Sequence, residues 1–151
     1  MKNPCAEGPD GRRFWAIALF LCALAPELVW ADGLAPLTDR VGDPVEGQAL
    51  LRDMGRASCL ICHQISGLDE KDQGEIGPSL DDVATRLSAA ELRLRIADAR
   101  RLNPDTMMPP YFSLDGLVDV AEVYRGQTIY SAQDVENVVA YLLNLTGEGD
   151  Q

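Results

Sequence analysis

The sequence predicts an all-α fold, on three observations. Helix-start chemistry recurs at Asp43, Ser88 and Ser131, each followed three residues later by an acidic side chain. Apolar residues after these starts return with a period near that of a helix, most clearly in the last segment. No sheet pattern is present, and loops bearing Gly and Pro separate the helical segments. At 151 residues the chain allows one domain.

Residues 1–31 read as an export signal that the mature protein loses. Arg12 and Arg13 precede an apolar run from Phe14 to Ala25, and Val29-Trp30-Ala31 supplies a small-residue cleavage site before Asp32. Pro26 and Glu27 break the run short of the ~20 residues that a membrane span needs. A retained anchor is the alternative; after cleavage no stable membrane anchor is expected. Residues 32–42 carry Pro and Gly without an apolar period and read as an N-terminal extension.

The main domain is expected over 43–147, with 148–151 as a tail. Asp43 caps the first helix, Pro44 suits its first position, Leu50, Leu51 and Met54 form its apolar face, and Gly55 ends it. This helix leads into Cys59-Leu60-Ile61-Cys62-His63. A Gly-bearing loop from Ser66 to Pro78 follows. Ser79 is expected to cap a short helix through Leu80, Val83 and Leu87. Ser88 and Glu91 form a capping box for a longer helix with Leu92, Ile96 and Ala99 inside and Leu94 near its edge. It should stop before Asn103-Pro104.

Residues 103–116 contain three prolines and read as an ordered loop. Residues 118–129 are ambiguous between irregular chain and a short strand-like excursion. The final helix is the clearest. Ser131 caps it, Val135, Val138, Val139, Leu142 and Leu145 make its buried stripe, and Gly147 stops it.

The formal net charge is -11, and the signal segment removes as many basic residues as acidic ones. So acidic a chain is not expected to bind nucleic acid or anionic lipid over its general surface. The basic residues crowd at Arg86, Arg93, Arg95, Arg100 and Arg101. The part of this cluster at 93–101 is a candidate partner face; its alternative is a solvated helix surface paired internally with Glu91 and Asp98.

Loss of residues 1–31 removes Cys5 and Cys22, so Cys59 and Cys62 are the cysteines of the mature chain. A disulfide framework is thereby excluded. The spacing C-x-x-C-H is the attachment signature of a covalent haem. Two thiols one turn apart reach the two vinyl groups of one porphyrin, and the following imidazole faces the iron. A thioredoxin-like pair belongs in a βαβ context that this sequence lacks, and structural zinc wants four Cys or His ligands.

His63 is the single histidine of the sequence, so a second histidine ligand cannot come from this chain. His/Met ligation suits an electron-transfer haem and raises its potential. Met54 sits on the entry helix and is expected in the core. Met107 and Met108 lie far enough along the chain to reach the opposite face. Neighbouring residues of an extended loop point apart, so one of the pair ligates. Pro109 drives Met108 into an extended conformation, which favours Met108; Met107 remains the alternative, otherwise packed on the ring or nearby core. The carbonyl of the Gly77-Pro78 segment is expected to accept the second N–H of His63, which fixes the ring. Tyr111, Tyr124, Arg125 and Tyr130 are candidates to reach the haem propionates.

Four stretches carry a family resemblance: C-L-I-C-H, G-E-I-G-P-S-L, N-P-D-T-M-M-P-P-Y-F and S-A-Q-D-V-E-N-V-V-A-Y-L-L. Together they resemble a class I cytochrome c. The run from Arg101 to Phe112, with V-Y-R-G-Q-T-I-Y-S after it, more narrowly resembles the SoxX family, mono-haem subunits of the SoxAX complex of bacterial thiosulfate oxidation. The resemblance spans roughly Gly42 to Leu145. It implies one covalently attached haem c, with Cys59 and Cys62 as its thioether residues, His63 as proximal and Met108 as distal ligand. The second methionine, Met107, is a departure that leaves the ligand assignment open.

The resemblance also implies a role. A SoxX subunit pairs with SoxA, a haem subunit with a reactive cysteine-ligated haem. The pair oxidatively joins thiosulfate to a cysteine of the SoxYZ carrier, acting as an L-cysteine S-thiosulfotransferase in the periplasm. SoxX collects the electrons and passes them to a small cytochrome. The mature chain keeps no cysteine for sulfur chemistry of its own, in keeping with an electron-transfer subunit. The alternatives are a free-standing periplasmic shuttle and a haem subunit of another dehydrogenase.

Overall fold

The computed structural model describes residues 33–147; the expected signal at 1–31 and the tail at 148–151 lie outside the described residues. Helices α1 (Pro44–Arg52), α2 (Val83–Arg86), α3 (Ala89–Asp98) and α4 (Ala132–Leu142) form, and no strand occurs among the described residues. The ambiguous segment 118–129 is irregular, with one 3-10 turn at Glu122–Tyr124. Within the described residues no helix is long and apolar enough to cross a membrane.

Local cap chemistry explains most of the boundaries. The Asp43 carboxylate accepts from the Val45 and Glu46 amides at 2.8 and 3.4 Å. Ser88–Glu91 and Ser131–Asp134 each form a reciprocal capping box. Three boundaries differ from expectation. α1 stops at Arg52 because Asp53 turns extended, and its carboxylate takes the Gly55 amide at 2.9 Å to open a 3-10 turn. Ser79 does not cap α2; its hydroxyl instead donates to Asp81 at 2.9 Å, and the helix begins at Val83. α4 ends at Leu142, before Leu145, while Gly147 (φ 74°) gives its amide to the Asp81 carbonyl at 2.8 Å.

α1 crosses α4 at Gly47, and α3 packs on the other flank of α4. A Cβ on Gly47 would overlap the Asn137 carbonyl, so the close approach of the two helices requires glycine there. Leu51, Ile65, Val83, Tyr130, Val135 and Val138 are fully buried in the core that these helices share. Met54, expected in this core, is 71% exposed, because the 3-10 turn after Asp53 carries it off the α1 face. Leu94, expected at the edge of α3, is buried.

The arginine cluster is likewise not one solvated face. Arg93 is buried and meets Glu136 of α4 with two bonds, Nε to Oε1 at 2.7 Å and Nη2 to Oε2 at 2.8 Å. Its Nη1 donates to the Leu34 carbonyl at 2.7 Å, and the Leu37 amide donates to Glu136 at 2.8 Å. This ion pair therefore pins the N-terminal extension across α3 and α4. Arg100 pairs with Asp98 at 2.7 Å, and Arg95 reaches the Glu91 carbonyl, not its carboxylate.

Candidate haem site

The C-x-x-C-H segment is folded as a 3-10 turn over Cys59–Ile61. Ser58, itself buried, accepts from the Leu60 amide at 3.2 Å and donates to the Leu51 carbonyl at 2.8 Å, which ties the turn to α1. The amides of Cys62 and His63 both donate to the Cys59 carbonyl, at 3.1 and 2.8 Å. The two thiols are free and are not joined to each other. Burial pushes the Cys59 thiol up, so it stays protonated near neutral pH and is a poor nucleophile. That weighs against a redox dithiol.

His63 is fixed from below by the Gly77-Pro78 segment. Its Nδ1 lies 2.7 Å from the Pro78 carbonyl. A carbonyl can only accept, so Nδ1 carries the hydrogen and Nε2 keeps its lone pair for a metal. The Gly77 amide donates to the Cys62 carbonyl at 2.8 Å, laying the loop directly on the motif. A Cβ on Gly77 would strike the His63 ring, so this cradle fits the imidazole only with glycine.

The two methionines part company. Met108 is half-buried and packs, like Cys59, against the core cluster, and its amide donates to Thr106 Oγ1 at 3.2 Å. Met107 is 76% exposed, so it does not pack into the core as one of its two expected alternatives had it. The loop is held to the end of α3 by the Tyr111 and Phe112 amides, which donate to the Ile96 and Ala97 carbonyls at 3.2 and 3.1 Å.

Of the four propionate candidates, three make contacts within the protein and the fourth is exposed. The Tyr111 hydroxyl donates to the Ala57 carbonyl at 2.6 Å, and that of Tyr130 to the Leu50 carbonyl at 3.2 Å. Burial pushes both phenols well above their ordinary range. Tyr124 is exposed, and Arg125 pairs with Glu122 at 2.7 Å. Arg56 lies beside one of these candidates, Tyr130. Its guanidinium sits 5.1 Å from the Tyr130 ring centroid and donates to the Ile129 carbonyl and the Asp134 carboxylate at 2.8 and 2.7 Å. No local signal pairs Arg56 with residues so distant in sequence.

Two surface clefts of about 470 and 460 Å³ lie beside Arg52–Gln73 residues and beneath the N-terminal extension; neither is lined by the cysteines, His63 or Met108. The fit of a haem therefore rests on the donor set and its cradle. Two free thiols one turn apart, an imidazole with Nε2 presented and a core-facing thioether suit covalent attachment and axial ligation. Among the described residues no group of three or more His, Cys, Asp or Glu is assembled for a zinc-type site.

Comparison with known proteins agrees with this donor set. A family profile described as "Cytochrome c" matches residues 44–146. A chain in the crystal structure of SoxXA from P. pantotrophus is 34% identical, with a TM-score of 0.66; the alignment covers 75% of this chain and 88% of that one. Among curated proteins none matches.

Proposed function

The chain belongs to the cytochrome c family, and from that premise we propose that it is the mono-haem electron-transfer subunit of a SoxAX-type complex. The observation that carries this reading is the 34% identity to a chain of SoxXA over 88% of that chain's length. A small electron carrier of unrelated role would share the haem motif, but would not be expected to share sequence over so much of the domain.

In this reading Cys59 and Cys62 would hold one haem c through thioethers, and His63 and Met108 would ligate its iron. The haem supplies reversible one-electron chemistry. The protein's part is to fix the ligands: the Pro78 carbonyl orients His63 and sets its tautomer, and Met108 is presented from a proline-stiffened loop. Methionine ligation raises the potential, as an electron-collecting site requires.

Joining thiosulfate to a carrier thiol forms one S–S bond and releases two electrons and one proton. A SoxA-like haem subunit would perform that step on a SoxYZ-type carrier. This chain would take the electrons one at a time and hand them to a small cytochrome. The cysteines outside the motif, Cys5 and Cys22, fall in the proposed export signal, so the mature chain brings no thiol to the sulfur chemistry. The same signal is the basis for proposing a periplasmic location.

Purification of the complex from the periplasm tests the proposal. A stoichiometric second haem protein, with thiosulfate-dependent reduction of this haem in the presence of the carrier, is the expected result. A monomer reduced equally well without partner or thiosulfate overturns it in favour of a free-standing shuttle.

A further inference from the structure

Tyr111 joins four parts of the chain at one point. Its amide donates to the Ile96 carbonyl at 3.2 Å, and its carbonyl accepts from the Tyr130 amide at 2.8 Å. Its ring lies 4.7 Å, centroid to centroid, from that of Tyr130. Its hydroxyl is 4.0 Å from Cys59 Sγ and donates to the Ala57 carbonyl at 2.6 Å. Ala57 holds a left-handed backbone (φ 58°, ψ 61°), a conformation rare outside glycine, directly before Ser58 and Cys59.

Between Met108 and Tyr111 stand only Pro109 and Pro110. Two consecutive prolines leave little torsional freedom, so the position of Tyr111 is passed to the methionine. Much of the preceding loop has no comparable anchorage: Asn103, Pro104, Asp105 and Met107 are all exposed.

We infer that Tyr111 is a positioning residue for the methionine ligand: its hydroxyl latches the loop bearing Met108 to the left-handed turn that delivers Cys59. The inference rests on the reading of Met108 as the axial ligand. Displacement of that ligand requires the loop to leave, and the latch opposes this opening. An external ligand sees only the open fraction, so its apparent affinity reports how firmly the loop is held.

Tyr130 provides an internal comparison. It is fully buried, its ring touches that of Tyr111, and its hydroxyl donates to a backbone carbonyl, that of Leu50. It has no short stiff link to Met108. A merely structural hydroxyl and a latch therefore give different results.

The test uses ferric holoprotein, with imidazole as the competing ligand and the weak long-wavelength sulfur-to-iron band as readout. Tyr111→Phe keeps the ring and removes one hydrogen bond, so it should bind imidazole about tenfold more tightly. Tyr130→Phe should stay within about twofold of wild type, although its thermal unfolding midpoint falls comparably. No change in Tyr111→Phe, or equal changes in both variants, overturns the latch. A wild-type protein without the band overturns Met108 ligation and the latch together. Failure of the thiosulfate assay with the band and the imidazole difference intact supports the latch and overturns only the role in the complex.

Discussion

Arg93 and Glu136 form a two-bond ion pair, at 2.7 and 2.8 Å, in the seam between α3 and α4, with both side chains less than a tenth exposed. Such a pair is weak evidence of net stability, since desolvating two charges offsets most of their attraction. Breaking one side is a different matter. Glu136→Gln leaves a buried guanidinium without its counter-charge and frees the extension held at Leu34 and Leu37. Urea unfolding should show a loss of about 3–5 kcal/mol, whereas the double change Arg93→Met with Glu136→Leu should lose much less. Equal losses would mean that the pair acts through packing alone.

Gly77 bears on the electronic character of His63. Gly77→Ala should push the imidazole off the Pro78 carbonyl, because the added Cβ meets the ring. Losing a hydrogen bond from the far nitrogen makes the imidazole a poorer donor to ferric iron, so the reduction potential should rise. A contribution of about 1.4 kcal/mol from that bond corresponds to about 60 mV for one electron. A redox titration with no upward shift would dissociate Pro78 from the tuning of the haem.

The two methionines separate by optical spectroscopy. Met108→Leu should abolish the long-wavelength sulfur-to-iron band and lower the potential, since methionine ligation raises it. Met107→Leu changes an exposed side chain and should preserve both. The reverse result would transfer the ligand role to Met107.

Acid stability follows from Asp98. The Arg100 guanidinium hydrogen-bonded to it, helped by Ser113, holds its carboxyl at about 2, below the ordinary 3.8. A depressed folded value contributes stability that is complete above the unfolded value and fades as pH falls from 3.8 through about 2. Glu136 follows the same direction: burial opposes it, but Arg93 and the Leu37 amide prevail and keep its carboxyl below the usual range. The urea midpoint should therefore drop between about pH 4 and pH 2, and Asp98→Asn should flatten the part of that drop due to Asp98. An unchanged profile in Asp98→Asn would show that this ion pair does not act on folding.

The features legible in the sequence are those that neighbouring residues decide among themselves. The capping boxes at Ser88 and Ser131 join partners three residues apart, and the C-x-x-C-H turn closes on the Cys59 carbonyl. Hydrogen bonds over such separations depend on local backbone geometry, which residue type and spacing encode. The all-α class, the haem motif and the choice of candidate ligands were legible for that reason. Tertiary structure decided the rest. Glu136 meets Arg93 across 43 residues, Tyr111 meets Ala57 across 54, and Met108, not Met107, faces the core. Those pairings depend on how α1, α3 and α4 are set against one another by close packing at Gly47 and the shared core. No window of sequence contains that arrangement, because it is the sum of contacts that form only once the helices have met.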